Sequence, residues 1–231
     1  MTRTVDPLLA RLREQVLEMG RDAEAILDKA LRALRERSPE LAAEVQTDDL
    51  ELDRLDLKID DGVLRALALQ APVAEDLRQV VSARMIATDL ERVGDLARNI
   101  AKAARRLAER DPVPLPDGLL ELAELARAQL RAALDAYGAS DVGRAREVLD
   151  GDDVVDETQD DVVREVIREI ASEPALAPQR VDFVLIAETL ERIGDHATNI
   201  AEDVILSVEA RNVKHARKLA RALGREEGTG D

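Results

Sequence analysis

Leu90-Glu91-Arg92-Val93-Gly94-Asp95-Leu96-Ala97-Arg98-Asn99-Ile100-Ala101 returns a hundred residues later as Leu190-Glu191-Arg192-Ile193-Gly194-Asp195-His196-Ala197-Thr198-Asn199-Ile200-Ala201. Glu, Arg, Gly, Asp and Asn recur in register, so two halves of one chain carry one pattern. Apolar residues in each copy fall three and four positions apart, the period of an α-helix. A glycine in mid-helix costs about 1 kcal/mol relative to alanine. Gly94 and Gly194 therefore serve something other than helix stability.

Working outward, Asp6-Pro7 followed by Leu8, Leu9, Leu12, Val16, Met19, Ile26, Leu27, Leu31 and Leu34 predicts a capped amphipathic helix that stops near Arg37. Ser38-Pro39-Glu40-Leu41 reads as a fresh N-cap with proline at the first helical position, opening a second helix that continues to about Leu67. Ala71-Pro72 turns the chain, and a third helix is expected from about Ala74 to Arg110. The proline-rich stretch 111–118 cannot be helical and reads as a linker. Beyond it the cycle restarts: Leu119 to about Gly138, Asp141 to about Ala171, a turn over 172–178, and a long helix from near Gln179 to Leu223. The second helices repeat as well, Ala42, Glu44, Val45, Asp49 and Asp53 matching Ala145, Glu147, Val148, Asp152 and Asp156 at an offset of 103. The expectation is an all-α fold, a tandem pair of three-helix bundles with six long helices. The first bundle would span 1–110 and the second 119–223, with a charged, Gly-rich, disordered tail at 224–231.

Composition narrows the function. The formal net charge of −16 repels phosphate backbones, and the aromatic residues that could stack on bases are Tyr137 and Phe183 alone. Nucleic-acid binding is not expected; a cationic partner is, whether metal or protein. The chain has no cysteine, which removes disulfides, thiolate metal sites and thiol nucleophiles together. No apolar run approaches the ~20 residues of a membrane span, and Met1-Thr2-Arg3-Thr4-Val5-Asp6 lacks the apolar stretch of a signal peptide. A cytoplasmic protein is expected, reaching membranes only through partners.

At roughly 100° per residue, Glu91, Asp95 and Asn99 form one ridge, opposite the apolar arc of Ile86, Leu90, Val93, Leu96, Ala97 and Ile100. If the helices flanking Pro72 are antiparallel, residues whose numbers sum to about 144 sit side by side. Asp53 then meets Glu91, and Asp49 meets Asp95. In the second half Asp152 meets Asp195 and Asp156 meets Glu191, about a pivot between Glu173 and Pro174. Each bundle thus gathers four carboxylates and an asparagine, Asn99 or Asn199, on one patch. Such a group must protonate, recruit basic side chains or hold a cation. Oxygen-only donors suit hard ions such as Mg²⁺, Ca²⁺, Mn²⁺ or ferric iron. A single outward Glu-x-x-x-Asp is ordinarily a solvated face with salt bridges; duplication of ridge, glycine and facing partner favours a cation. Arg92 and Arg192 could neutralise part of each patch, and Asp60 with Arg84 reads as a structural ion pair. His196, whose counterpart is Leu96, reads as a helix-surface residue, and His215 lies near a helix end without a paired acid motif. The chain has no phosphate loop, Ser/His/Asp set, Glu-x-x-His or His-Glu-x-x-His to which catalysis could be assigned.

Leu-Glu-Arg-Val/Ile-Gly-Asp with its Asn-Ile ending, Met19-Gly20, Ala71-Pro72 followed by Asp76-Leu77-Arg78, and the paired Asp-x-x-x-Asp segments resemble the PhoU family of phosphate-signalling proteins, over nearly the whole chain to about Leu223. The resemblance implies a cytoplasmic accessory that restrains the phosphate ABC transporter and the phosphate-starvation regulon, through the transporter's ATPase subunit and the sensor histidine kinase. It further implies a homodimer and a multinuclear metal, iron or zinc, with manganese or magnesium as alternatives. Carried over, the metal residues are Asp49, Asp53, Glu91, Asp95 and Asn99, then Asp152, Asp156, Glu191, Asp195 and Asn199. The Asp76-Leu77-Arg78 element has Ala177-Pro178 at the aligned positions of the second half, so the halves are not interchangeable. A regulatory adaptor without catalytic residues is the leading expectation. The alternatives are a phosphatase-like metal-dependent hydrolase built on carboxylate-bridged ions and a simple metal-storage protein.

Overall fold

Ser38 does what its sequence requires of an N-cap: its Oγ accepts the amide of Leu41 at 3.2 Å, with Pro39 at the first position of the helix it opens. From such local signals the computed structural model, which describes residues 6–214, builds seven α-helices. These are α1 (Asp6–Glu36), α2 (Pro39–Gln70), α3 (Ala74–Ala108), α4 (Leu119–Ala139), α5 (Val142–Asp150), α6 (Asp152–Ser172) and α7 (Ala177–Glu209), with a 3₁₀ turn at Pro174–Leu176. The described residues contain no strand, and none of their helices is long and apolar enough to cross a membrane.

Helices α1, α2 and α3 form one antiparallel bundle, and α4, α5–α6 and α7 form the other. The bundles meet along α3 and α7, with α1 touching α4, so their apolar interiors merge into one core. That core is aliphatic, with Leu12, Met19, Ile26, Leu52, Ile59, Ile86, Leu90 and Ile100 fully buried in the first half. Phe183, on α7, is the largest fully buried side chain among the described residues.

Two boundaries differ from the sequence reading. The helix expected to run unbroken from Asp141 to Ala171 is divided at Gly151, whose amide closes α5 onto the carbonyls of Glu147 and Val148 before α6 begins at Asp152. The last helix ends at Glu209, capped by Ala210 in the left-handed conformation, not near Leu223. The chain then turns back, Asn212 accepting the amide of Lys214. The tail at 224–231, the segment 215–223 and His215 lie outside the described residues.

Candidate functional site

At the two glycines that recur in register, neighbouring helices approach closely. A Cβ on Gly94 would strike Leu52 Cδ2 and come within 2.9 Å of Asp49 Oδ1, so any side chain there would have to push these two aside for α2 to rest on α3 as it does. At Gly194 a Cβ would lie 2.9 Å from Gln129 Oε1 and 3.3 Å from Val155 Cγ1. Helix packing, not chemistry, explains both glycines. The same contacts fix the hairpin register: Gly94 against Asp49 and Leu52, Arg84 paired with Asp60 and with Asp56 at 2.8 Å, Gly194 against Val155, and Arg180 with Glu169 at 2.8 Å.

In the first half this register gathers the acids around an arginine. Arg98 donates to Asp49 Oδ2 at 2.5 Å and to Asp95, while Arg92 reaches Asp95 and Glu91, each at 3.4 Å. Asp49 is buried rather than outward-facing as the ridge geometry suggested, because it sits beneath Gly94. Burial raises its proton affinity, and Arg98 works against that rise. Glu91 is raised too, by burial first and then by Asp95, with Asp56 and Asp53 adding to it, which puts Asp53 within electrostatic reach of Glu91. Asp53 and Asn99 are exposed.

The second half has the same carboxylates and a different counter-charge. Thr198 stands where Arg98 does, and its hydroxyl donates to the carbonyl of Asp195 within its own helix. Glu191 is pushed up to about 7, by burial first, then by Asp195, Asp156 and Asp152, with Arg192 opposing. Residues outside the four carboxylates add to the contrast. Gln129, on α4, is buried between Gly151 and Gly194 with neither amide atom hydrogen-bonded among the described residues. Asn199 also reaches across the bundle junction: its amide donates to Asp89 Oδ1 at 3.2 Å, beside His196 Nδ1, which lies 2.7 Å from the same oxygen. His196 is accordingly a junction residue and not a surface one. Two turns from Asp195, Asp203 is wholly buried at that junction, pushed up to about 6 by burial despite Lys214 at 3.0 Å.

As donor sets for a cation the two patches differ. The first already holds a guanidinium between Asp49 and Asp95, so an ion would have to displace it. The second offers oxygen donors whose mutual repulsion a cation would relieve, which fits a hard metal in charge and donor type. Among the described residues no group of three or more acids or histidines converges tightly enough to hold an ion, so carboxylate rotamers would have to draw in around one. Arg98, Gln129 and Asp203 are the residues that reading the ridges alone passed over. The signal was in the repeat itself: Arg98 faces Thr198 and Asp203 faces Ala103 in the alignment of the halves.

Compared with known proteins, residues 16–104 and 119–204 each match the family model described as the PhoU domain. The phosphate-specific transport system accessory protein PhoU homolog of Caulobacter vibrioides is 39% identical over 195 residues, covering 84% of this chain and 85% of that one. The homolog of the same name from Zymomonas mobilis is 35% identical, covering 90% and 88%. Among solved structures, PhoU from Pseudomonas aeruginosa superimposes with a TM-score of 0.85 at 32% identity, covering 89% of this chain and 99% of that chain. The phosphate transport system regulatory protein PhoU from Streptococcus pneumoniae gives the same score at 26% identity.

Proposed function

The chain belongs to the PhoU family, and on that premise we propose that it is a non-enzymatic cytoplasmic accessory of phosphate uptake. In this reading it restrains the phosphate ABC transporter and the phosphate-starvation sensor kinase by direct contact, through the ATPase subunit and the kinase respectively. The observation that carries the reading is the match of both halves, in order, to accessory proteins whose lengths this chain nearly spans. The helical surface supports docking of a protein or of a second copy. Leu50, Leu57 and Leu64 stand exposed at seven-residue spacing along α2, an apolar row with no partner helix among the described residues. A homodimer is part of this proposal.

The metal belongs to it as well. Asp152, Asp156, Glu191 and Asp195 would hold a hard cation, which would supply counter-charge and fix α6 against α7, not reaction chemistry. The first patch would keep Arg98 in that role. Deleting the gene should derepress a phosphate-starvation reporter in phosphate-replete cells, and restoring the chain should silence it again. Unchanged reporter output and unchanged uptake in the deletion strain would refute the proposal.

A further inference from the structure

The first half carries a basic cleft whose four cations have no counterpart in the aligned positions of its repeat. It lies between α2, which contributes Ala42 and Gln46, and α3, which contributes Arg98, Lys102, Arg105 and Arg106, and it encloses about 200 Å³. No acidic side chain lines it, in a chain whose net charge is −16. Two of its four cations are committed elsewhere: Arg98 to Asp49 and Asp95, and Arg106 to Asp182 at 2.9 and 2.5 Å. Lys102 and Arg105 are exposed, and among the described residues neither closes an ion pair; Lys102 acts on Asp49 only through space. The Nε of Arg98 is buried and has no hydrogen-bond partner among the described residues. Ala42 belongs to the opening turns of α2, so the positive end of that helix's dipole adds to the potential.

We infer that this cleft binds a phosphoryl-type dianion, as inorganic phosphate or as the phosphoryl group of a small ester. Two uncompensated positive charges match an ion of charge near −2. Donors approaching from both helices, the ammonium of Lys102, the guanidinium of Arg105 and the carboxamide of Gln46, suit an ion with oxygens on several sides better than a planar carboxylate. The volume admits one such group and not a nucleotide. At the aligned positions the second half has Thr198, Glu202 and Ile205 in place of Arg98, Lys102 and Arg105. One site per chain follows, independent of any cation on the acidic patches.

Calorimetric titration of the full chain at low ionic strength, with sodium phosphate and separately with O-phosphoserine, tests the site. Arg98 is left untouched because Asp49 depends on it. Saturable binding near one equivalent is expected for at least one probe, weakened at least about tenfold in Lys102→Ala/Arg105→Ala, as for the loss of two charge-assisted contacts. Lys102→Glu, which installs the residue found in the repeat, should weaken it as much. Melting temperatures should not change, since both side chains are exposed. Tighter binding of phosphate assigns the free ion, and tighter binding of phosphoserine assigns a carried phosphoryl group. Arg54→Ala/Arg65→Ala, the same charge change on an exposed stretch of α2, should bind as the wild type does. Absence of saturable binding with both probes, equal affinity in the Lys102/Arg105 variant, or equal weakening in the Arg54/Arg65 control would overturn the inference.

Discussion

The two acidic patches share a sequence and have different electrostatics. In the first, Arg98 bridges a buried Asp49 and Asp95, and Arg92 leans on Asp95 and Glu91, so the carboxylates are neutralised from within. In the second, a threonine replaces that arginine and the strain appears as a Glu191 pushed up to about 7. A duplicated motif is thus not a duplicated site. One changed side chain, a single turn beyond the shared Gly-Asp, removes from the second patch the arginine that bridges Asp49 and Asp95 in the first.

The sharpest way to break this comparison is to remove the bridge. Arg98→Thr leaves Asp49 buried without its counter-ion and should cost about 4 kcal/mol. Denaturant unfolding checks it, and a loss under about 1 kcal/mol would mean that Asp49 is solvated or protonated without penalty. Next in size is the close approach of the helices. Gly94→Val should cost about 3 kcal/mol, because Leu52 is fully buried and has nowhere to go. Gly194→Val should cost less, since the group it meets first is the unpartnered end of Gln129. Equal losses in the two variants would show that the bundles are packed alike and that the difference between halves is confined to charge.

A smaller effect, of opposite sign, is expected at Asp203, whose counterpart is the buried Ala103. A carboxyl with a raised native value binds protons better when folded. Its favourable contribution is therefore complete below its ordinary value near 3.8 and is lost as pH rises through about 6. Asp203→Ala should stabilise the protein by about 2 kcal/mol at pH 8 and flatten the pH dependence between about 4 and 6. Melts across that range read both effects. A destabilised variant at pH 8 would show that the pair with Lys214, an exposed enough lysine to be resolvated, outweighs the burial of the carboxyl.

Much of this was legible in the sequence. Ser38-Pro39, Ala71-Pro72 and the prolines of 111–118 punctuate the helices chemically, and an antiparallel hairpin across Pro72 has a register that residue numbers alone determine. Hence Arg84 finds Asp60 and Gly94 finds Asp49 as counting implies. The features that escaped depend on the third dimension. Gly151 divides a helix only because its amide closes α5 onto its own carbonyls. Helix α7 ends where Ala210 turns left-handed, although alanine gives no such signal. Helical angle puts Asn199 on the ridge, but its amide's partner, Asp89, comes from the other bundle and could not be counted from the hairpin. The count of acids was readable; which of them a neighbouring helix would cover was not.

The central claim is that Thr198 leaves open what Arg98 closes. Its most direct test is the rise in melting temperature produced by Mn²⁺, relative to EDTA, in the wild type, in Glu91→Gln/Asp95→Asn, in Glu191→Gln/Asp195→Asn and in Thr198→Arg. Binding to the native state alone contributes RT ln(1 + [L]/Kd), about 2.7 kcal/mol at a hundredfold excess over Kd. The account predicts that this rise persists when the first patch is altered and disappears both when the second loses its acids and when Thr198 becomes the arginine of its repeat. A rise that survives Thr198→Arg, or one abolished by the first-half variant alone, would contradict it.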